Sequence, residues 1–161
     1  MKVRKLTRIA LAAVLLAALS SQCAAAETLL WTQKTSGGFV TLTYGALDPA
    51  KHPLFMLSCI NGMGIAVLDV RLDLPETEPG TPLTIELSSG GLTALVESEA
   101  ASDEASGGTF AQTSEVRMKP VLDVLRGTEP VSVEVGAAKA TLSDHNRTES
   151  VEKFSKDCEL G

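Results

Sequence analysis

Few side chains in this sequence are equipped for metal or thiol chemistry. They are Cys23, Cys59 and Cys158, the two histidines His52 and His145, and the methionines Met56 and Met63. His52, Met56, Cys59 and Met63 crowd into one short stretch, and thioether or thiolate donors suit Cu(I). Strand alternation places Met56 on the face opposite Cys59, however, and the chain carries no CxxC, HxxxH or His-rich tract. Methionine in such a run serves as core filler. No metal site is therefore expected, and His52, Met56 and Met63 are only weak candidates for one.

Nucleophilic chemistry finds no better footing. Both histidines sit among turn residues, Asp48-Pro49 and Pro53 around one and Asp144 and Asn146 around the other. No G-x-S-x-G elbow is present to set a serine against a base. Gly90-Gly91 and Gly107-Gly108 lack the strand-to-helix setting of a phosphate loop. Asn146-Arg147-Thr148 fits a glycosylation sequon, but its asparagine is expected as a helix cap. Carboxylates are plentiful: Glu97, Glu99, Asp103 and Glu104 fall in a Gly/Ser/Ala-rich run without the alternate-position spacing of a calcium loop. The run Glu97–Gly108 is expected as a mobile loop, and its four acids as a surface that can attract a basic partner.

The compartment follows from the N-terminus. Lys2, Arg4, Lys5 and Arg8 precede the apolar Ile9–Leu19 stretch, and Ala24-Ala25-Ala26 offers a small-residue cleavage site before Glu27. That is the layout of a secretory signal peptide over residues 1–26, cleaved between Ala26 and Glu27 with Ala24 and Ala26 as the recognised small residues. A lipid anchor on Cys23 wants a small residue before the cysteine and an aliphatic one three before it; Gln22 and Ser20 stand there. The remaining cysteines, Cys59 and Cys158, are then a single pair in an oxidising compartment, which is most simply one disulfide.

Removing the signal takes four of the fourteen basic residues and none of the twenty acidic ones, leaving ten against twenty and a net charge of −10. Nucleic acid and anionic lipid both reward basic patches, so neither is an expected partner. About 135 residues suffice for one domain with a real core. With Trp31 and Tyr44 each alone of its kind, the volume of that core must come from aliphatic side chains.

The elements read as many short strands. Phe39–Tyr44 alternates Val40, Leu42 and Tyr44 against threonines, and Leu54–Ile60 is apolar on both faces, as a central strand is. After the Asn61-Gly62 turn, Ile65–Leu74 alternates again. Pro75–Pro82 is a loop. Leu83–Leu87 and Leu92–Val96 form a hairpin about Ser88–Gly91, Phe110–Met118 is a further strand, and Val131–Val135 pairs with Ala138–Leu142 about Gly136. Pro120–Arg126, with Gly127 after it, is a short helix. A last helix starts near Asn146, whose capping-box partner is Glu149. On that helix Val151, Phe154 and Cys158 share one stripe, which must face the sheet and bring Cys158 toward Cys59.

Tyr44-Gly45, the run from Pro53 to Leu57-Ser58-Cys59, and Phe154-x-x-x-Cys158 together resemble small periplasmic proteins of alphaproteobacteria that carry one disulfide. The C-terminal part, Glu115 to Leu160, is more loosely similar to the invasion-associated locus B group, although the additional cysteines of that group are missing. The resemblance implies periplasmic location and a β-rich fold, and brings no catalytic residues.

The expectation is thus a signal peptide over 1–26 and one domain over 27–161. That domain should be an antiparallel β-sandwich or flattened barrel with two short helices, the last stapled by Cys59–Cys158. Its expected role is binding or interaction without catalysis, with no cofactor and a protein or envelope component as partner. The rival roles are inhibition of a basic secreted hydrolase such as lysozyme, and copper handling.

Overall fold

The computed structural model describes residues 27–60 and 66–158. The residues expected to form a signal peptide, with Cys23, Ala24 and Ala26, and those expected to turn at Asn61-Gly62, with Met63, lie outside them. Nine strands and two helices follow in the order β1 (Leu30–Ser36), β2 (Phe39–Gly45), β3 (Phe55–Ile60), β4 (Ala66–Val70), β5 (Pro82–Ser89), β6 (Leu92–Ser102), β7 (Thr109–Thr113), α1 (Met118–Leu125), β8 (Val131–Val135), β9 (Ala138–Leu142) and α2 (Arg147–Asp157). All nine strands belong to one antiparallel, curled sheet in the order β1-β2-β3-β4-β7-β6-β5-β8-β9. Of the two expected forms it is nearer the flattened barrel: one curled sheet, with no β1–β9 ladder among the described residues.

Alternation sets which face is filled. Val40, Cys59 and Ala66 stand in register across β2, β3 and β4, as do Leu42, Leu57 and Leu68, and all six are buried. A third inward row runs Trp31, Tyr44, Phe55, Val70, Ala111 and Ala100 from β1 to β6. Three aromatics supply its bulk on one side, and the two alanines leave room across the curl. The rings of Tyr44 and Phe55 lie 5.2 and 5.3 Å from that of Trp31, at tilted and edge-on angles. Such angles match the quadrupoles of aromatic rings.

The two ends of the sheet meet through the segment after β9. The Trp31 N–H donates to His145 O at 3.0 Å, and its indole Nε1 donates to Ser143 O at 2.7 Å. Asn146 Nδ2 donates to Trp31 O at 3.0 Å, and Ser143 N donates to Tyr44 Oη at 3.1 Å. Edge strand β1 is therefore partly capped rather than left open. Asn146 does open α2, but in the left-handed region with φ 64° and with no side-chain cap bond; its amide serves Trp31 instead of a capping box.

Cys59 on β3 and Cys158 at the end of α2 are both buried and bonded, with Cα atoms 6.2 Å apart. Val151 and Phe154 fill the same stripe of α2. The two helices are tied to each other by Arg147, a buried cation whose Nη2 donates to Gly127 O at 2.7 Å and whose Nη1 donates to Glu129 O at 2.9 Å. These carbonyls lie just beyond the C-terminal end of α1, where a positive charge is favoured. Gly127 itself leaves no room for a side chain: a Cβ there would stand 2.5 Å from Ser89 Oγ.

Several boundaries differ from the alternation pattern. β4 ends at Val70, and Arg71–Leu74 leave the sheet as the start of a loop. β7 ends at Thr113, and Met118 belongs to α1, because Val116 turns to donate its N–H to Ala66 O at 3.1 Å. Pro120 lies in the first turn of α1 rather than at its first residue, a place where its missing N–H costs nothing. The largest correction concerns Glu97–Gly108, which is not a loop throughout. β6 runs on to Ser102, with Val96 and Ala100 buried and Glu97 and Glu99 exposed. Acidic residues on the solvent side of a strand read as loop when their inward neighbours are as small as Ser98 and Ala100.

Candidate functional site

A wide hollow lies between two connections at one end of the sheet. One lip is the β4–β5 loop from Arg71 to Pro79, and the other is the β6–β7 turn from Ser102 to Thr109. Pro75 and Pro79 stiffen the first lip. Its end returns to the ladder, with Gly80 N donating to Ala100 O at 2.7 Å and Ala100 N donating to Thr81 O at 2.9 Å. Glu76 holds a left-handed φ of 60°, an unusual conformation for a residue with a Cβ. The second lip closes on itself. Asp103 N donates to Gly108 O at 2.9 Å and Gly107 N donates to Asp103 O at 2.8 Å, with Gly107 supplying the positive φ the turn needs. Thr109 Oγ1 donates to Leu74 O at 3.3 Å and joins the lips at their base.

Between them is an open groove of about 900 Å³. Asp73, Glu76, Glu78, Asp103 and Glu104 line it, and Arg71 is its one cation among the described residues. The arginine is held from three sides. Its backbone N–H donates to Leu54 O at 2.7 Å, and its guanidinium carbon stands 3.9 Å from the centre of the Phe110 ring. Its Nη1 lies 3.0 Å from Asp103 Oδ2, off the hydrogen-bond axis, as an ion pair with both side chains mostly shielded. A guanidinium stacked on an aromatic face and paired with a carboxylate is poorly placed to meet an incoming anion. Asp103 is held below the usual carboxylate range by the Ser106 hydroxyl, the Ala105 N–H and the charges of Arg71 and His52. It is thus ionised and spent on the clamp. The other four carboxylates have no ion-pair partner among the described residues and face the groove.

The predicted site residues are divided by this geometry. Asp103 and Glu104 belong to the groove. Glu97 and Glu99 lie farther down β6, beside Gln112 and Thr113 of β7, around a smaller hollow of about 300 Å³. Asp73, Glu76 and Glu78 escape the sequence reading, which puts Asp73 on the outer face of a strand over Ile65–Leu74 and Glu76 and Glu78 in a loop over Pro75–Pro82. Their partnership with Asp103 depends on β4 and β6 both flanking β7, an order alternation does not reveal. Glu27 is exposed and pairs with Lys51 at 2.7 Å.

The metal candidates are dispersed in role. His52 is exposed in the β2–β3 connection, close enough for its charge to act on Asp103. Met56 is on the outer face of β3, opposite Thr43 and Asp69. Cys59 is in the disulfide, and Met63 is outside the described residues. No group of three or more His, Cys, Asp or Glu side chains among the described residues is arranged to hold an ion.

One further carboxylate is buried outside the groove. Asp69 stands on the outer face of β4, where Gln112 Nε2 donates to its Oδ1 at 2.9 Å. Burial pushes its acidity weaker, against the opposing pull of Gln112 and Arg71. No described helix is long and apolar enough to cross a membrane. No protein-family model matches the chain, and comparison with curated proteins and with solved structures finds no match either.

Proposed function

We propose that this protein is an exported, periplasmic interaction module without catalytic activity, whose acidic groove receives a cationic group of a protein or envelope component. One observation carries the reading: the only guanidinium in the groove is clamped by Phe110 and Asp103, so the remaining carboxylates meet whatever enters. A buried disulfide supports export, since such bonds persist in oxidising compartments. The signal-like N-terminus and the resemblance to periplasmic proteins point the same way. The reading without catalysis draws on how reactive groups are used: both described cysteines are bonded and the buried Asp69 is held in the sheet by Gln112.

Crosslinking in intact envelopes tests it. The wild type should trap a partner that a chain carrying Asp73→Asn, Glu76→Gln and Glu78→Gln does not. A substrate turnover abolished by the same substitutions would contradict it. Inhibition of a basic secreted hydrolase is a second reading, favoured by the Arg71–Asp103 clamp, which braces the turn that presents Glu104. Preset charge speeds encounter with a cationic cleft and loses force as salt rises. Titration against a basic lysozyme at low and physiological salt decides this reading: absence of inhibition at micromolar protein ends it.

A further inference from the structure

We infer that β6 offers an open strand edge in the middle of the sheet, which binds an extended basic peptide segment of a partner protein by strand addition. This goes beyond the acidic groove and stands on separate geometry. In an antiparallel ladder successive residues turn their N–H and C=O to opposite sides. Ala100 uses both groups toward the β5 side, bonding Thr81 O and Gly80 N. Leu92 closes the hairpin opposite Ser89, so Leu92, Ala94, Val96 and Ser98 likewise turn toward β5. Glu99 and Ala101 turn the other way and meet Gln112 and Phe110 of β7. Thr93, Leu95 and Glu97 also turn that way, and no strand or backbone group among the described residues meets them.

The gap has a visible origin. β7 stays with β6 only up to Glu99, then follows β4, with Val116 bonded to Ala66, before α1 begins. A slot of about 510 Å³ remains, walled by Thr93–Glu97 on one side and by Glu115, Arg117, Pro120 and Val121 on the other. Ser98, the next residue along β6, lines the neighbouring smaller hollow instead, its Oγ buried without a hydrogen-bond partner among the described residues. Leu95, 62% exposed, stands on the outer face of this unpaired edge. The far wall decides the occupant: one extended strand fits between the walls, whereas a second copy would have to bring a whole sheet and a like net charge. Charge decides its chemistry. Glu97 and Glu115 flank the slot against Arg117 alone, so the segment carries a lysine or arginine opposite Glu97. Residues opposite Ala94 and Val96 point inward toward Val121 and are apolar.

The test uses the oxidised full chain and the blocked peptide Lys-Val-Thr-Val-Lys, whose symmetry places a lysine near Glu97 in either direction. In the free protein the amides of Thr93, Leu95 and Glu97 should exchange with solvent faster than those of Ala94 and Val96. Saturating peptide should slow Leu95 and Glu97 at least about tenfold, and N-methylation of the peptide's threonine should weaken binding by about tenfold, the scale of one lost ladder bond. Glu-Val-Thr-Val-Glu should not bind. Leu95→Pro removes only an N–H that faces the slot, a position where strands tolerate proline, and should abolish binding. If the proline variant does not fold, Glu97→Lys, which keeps every backbone group and sets a like charge against the peptide's lysine, should weaken binding at least about tenfold. Neutralising Asp73 and Glu76 should leave peptide binding intact; its loss there would move the peptide to the acidic groove and overturn the inference. So would slow exchange at Leu95 in the free chain, equal binding of the N-methylated peptide, or no binding at millimolar peptide. A dimer that protects the same three amides and is broken by Leu95→Lys would give the edge to a second copy instead.

Discussion

Two carboxylates with opposite environments set the acid behaviour of this protein residue by residue. Asp69 is buried, so its folded form takes up a proton more readily than the ordinary value of 3.8 implies. The folded state then binds more protons than the unfolded one just above that value, and stability falls as pH rises through the raised folded pKa. Asp103 has the reverse sign. Its folded form is more acidic than 3.8, so its contribution is complete above that value and is lost as pH falls through the lowered one. Denaturant unfolding across pH should therefore show Asp69→Asn gaining on the wild type as pH rises above 3.8. Asp103→Asn should lose ground as pH climbs toward 3.8 from below, and no further above it. Parallel curves for both variants would mean that neither environment matters. Asp69 shows what sequence leaves hidden: an acid among outward-facing positions of a strand reads as solvated, and only the packing of the outer face around Met56 and Gln112 buries it.

Among elements, α2 is joined to the sheet covalently and to α1 by the buried Arg147. The Cys59–Cys158 bond closes a separation of 99 residues, which the chain-entropy treatment values at about 4–5 kcal/mol, although measured effects scatter. Replacing both cysteines by serine should lower the unfolding free energy by up to about that amount, less any cost of burying two hydroxyls. An unchanged denaturation midpoint would show that the helix docks by packing alone. The pairing was readable beforehand because two independent periodicities converged, alternation around Cys59 and the helical stripe through Cys158. The hairpins β5–β6 and β8–β9 were readable for the same local reason, since their two-residue turns carry Gly90-Gly91 and Gly136. The ends of β4, β6 and β7 were not, because long-range pairing sets them: β7 leaves β6 to follow β4 without any breaker residue to announce it. Arg147 was hidden too, as its partners are backbone carbonyls, which have no sequence signature.

At the scale of the whole molecule, fold class, acidic character and the stapled final helix follow from composition and alternation. The groove does not. Asp103 and Glu104 stand out in the sequence, but Asp73, Glu76 and Glu78 join them only because the strand order sets the β4–β5 loop against the β6–β7 turn. Arg71 shows no role in the sequence at all, since Phe110 reaches it from β7 and Asp103 from the β6–β7 turn. The net charge of −10 carried by residues 27–161 would attract any cation weakly and everywhere, with screening over about 8–10 Å at physiological salt. The central claim is that attraction is concentrated in one place. Titration of isotopically labelled protein with tetralysine at physiological salt, followed by amide chemical shifts, tests it most directly. The account predicts shifts confined to Arg71–Pro79 and Ser102–Thr109, and their loss on combining Asp73→Asn, Glu76→Gln and Glu78→Gln. Shifts spread evenly over exposed acids such as Glu86, Glu149 and Glu152, and unaltered by those substitutions, would contradict it.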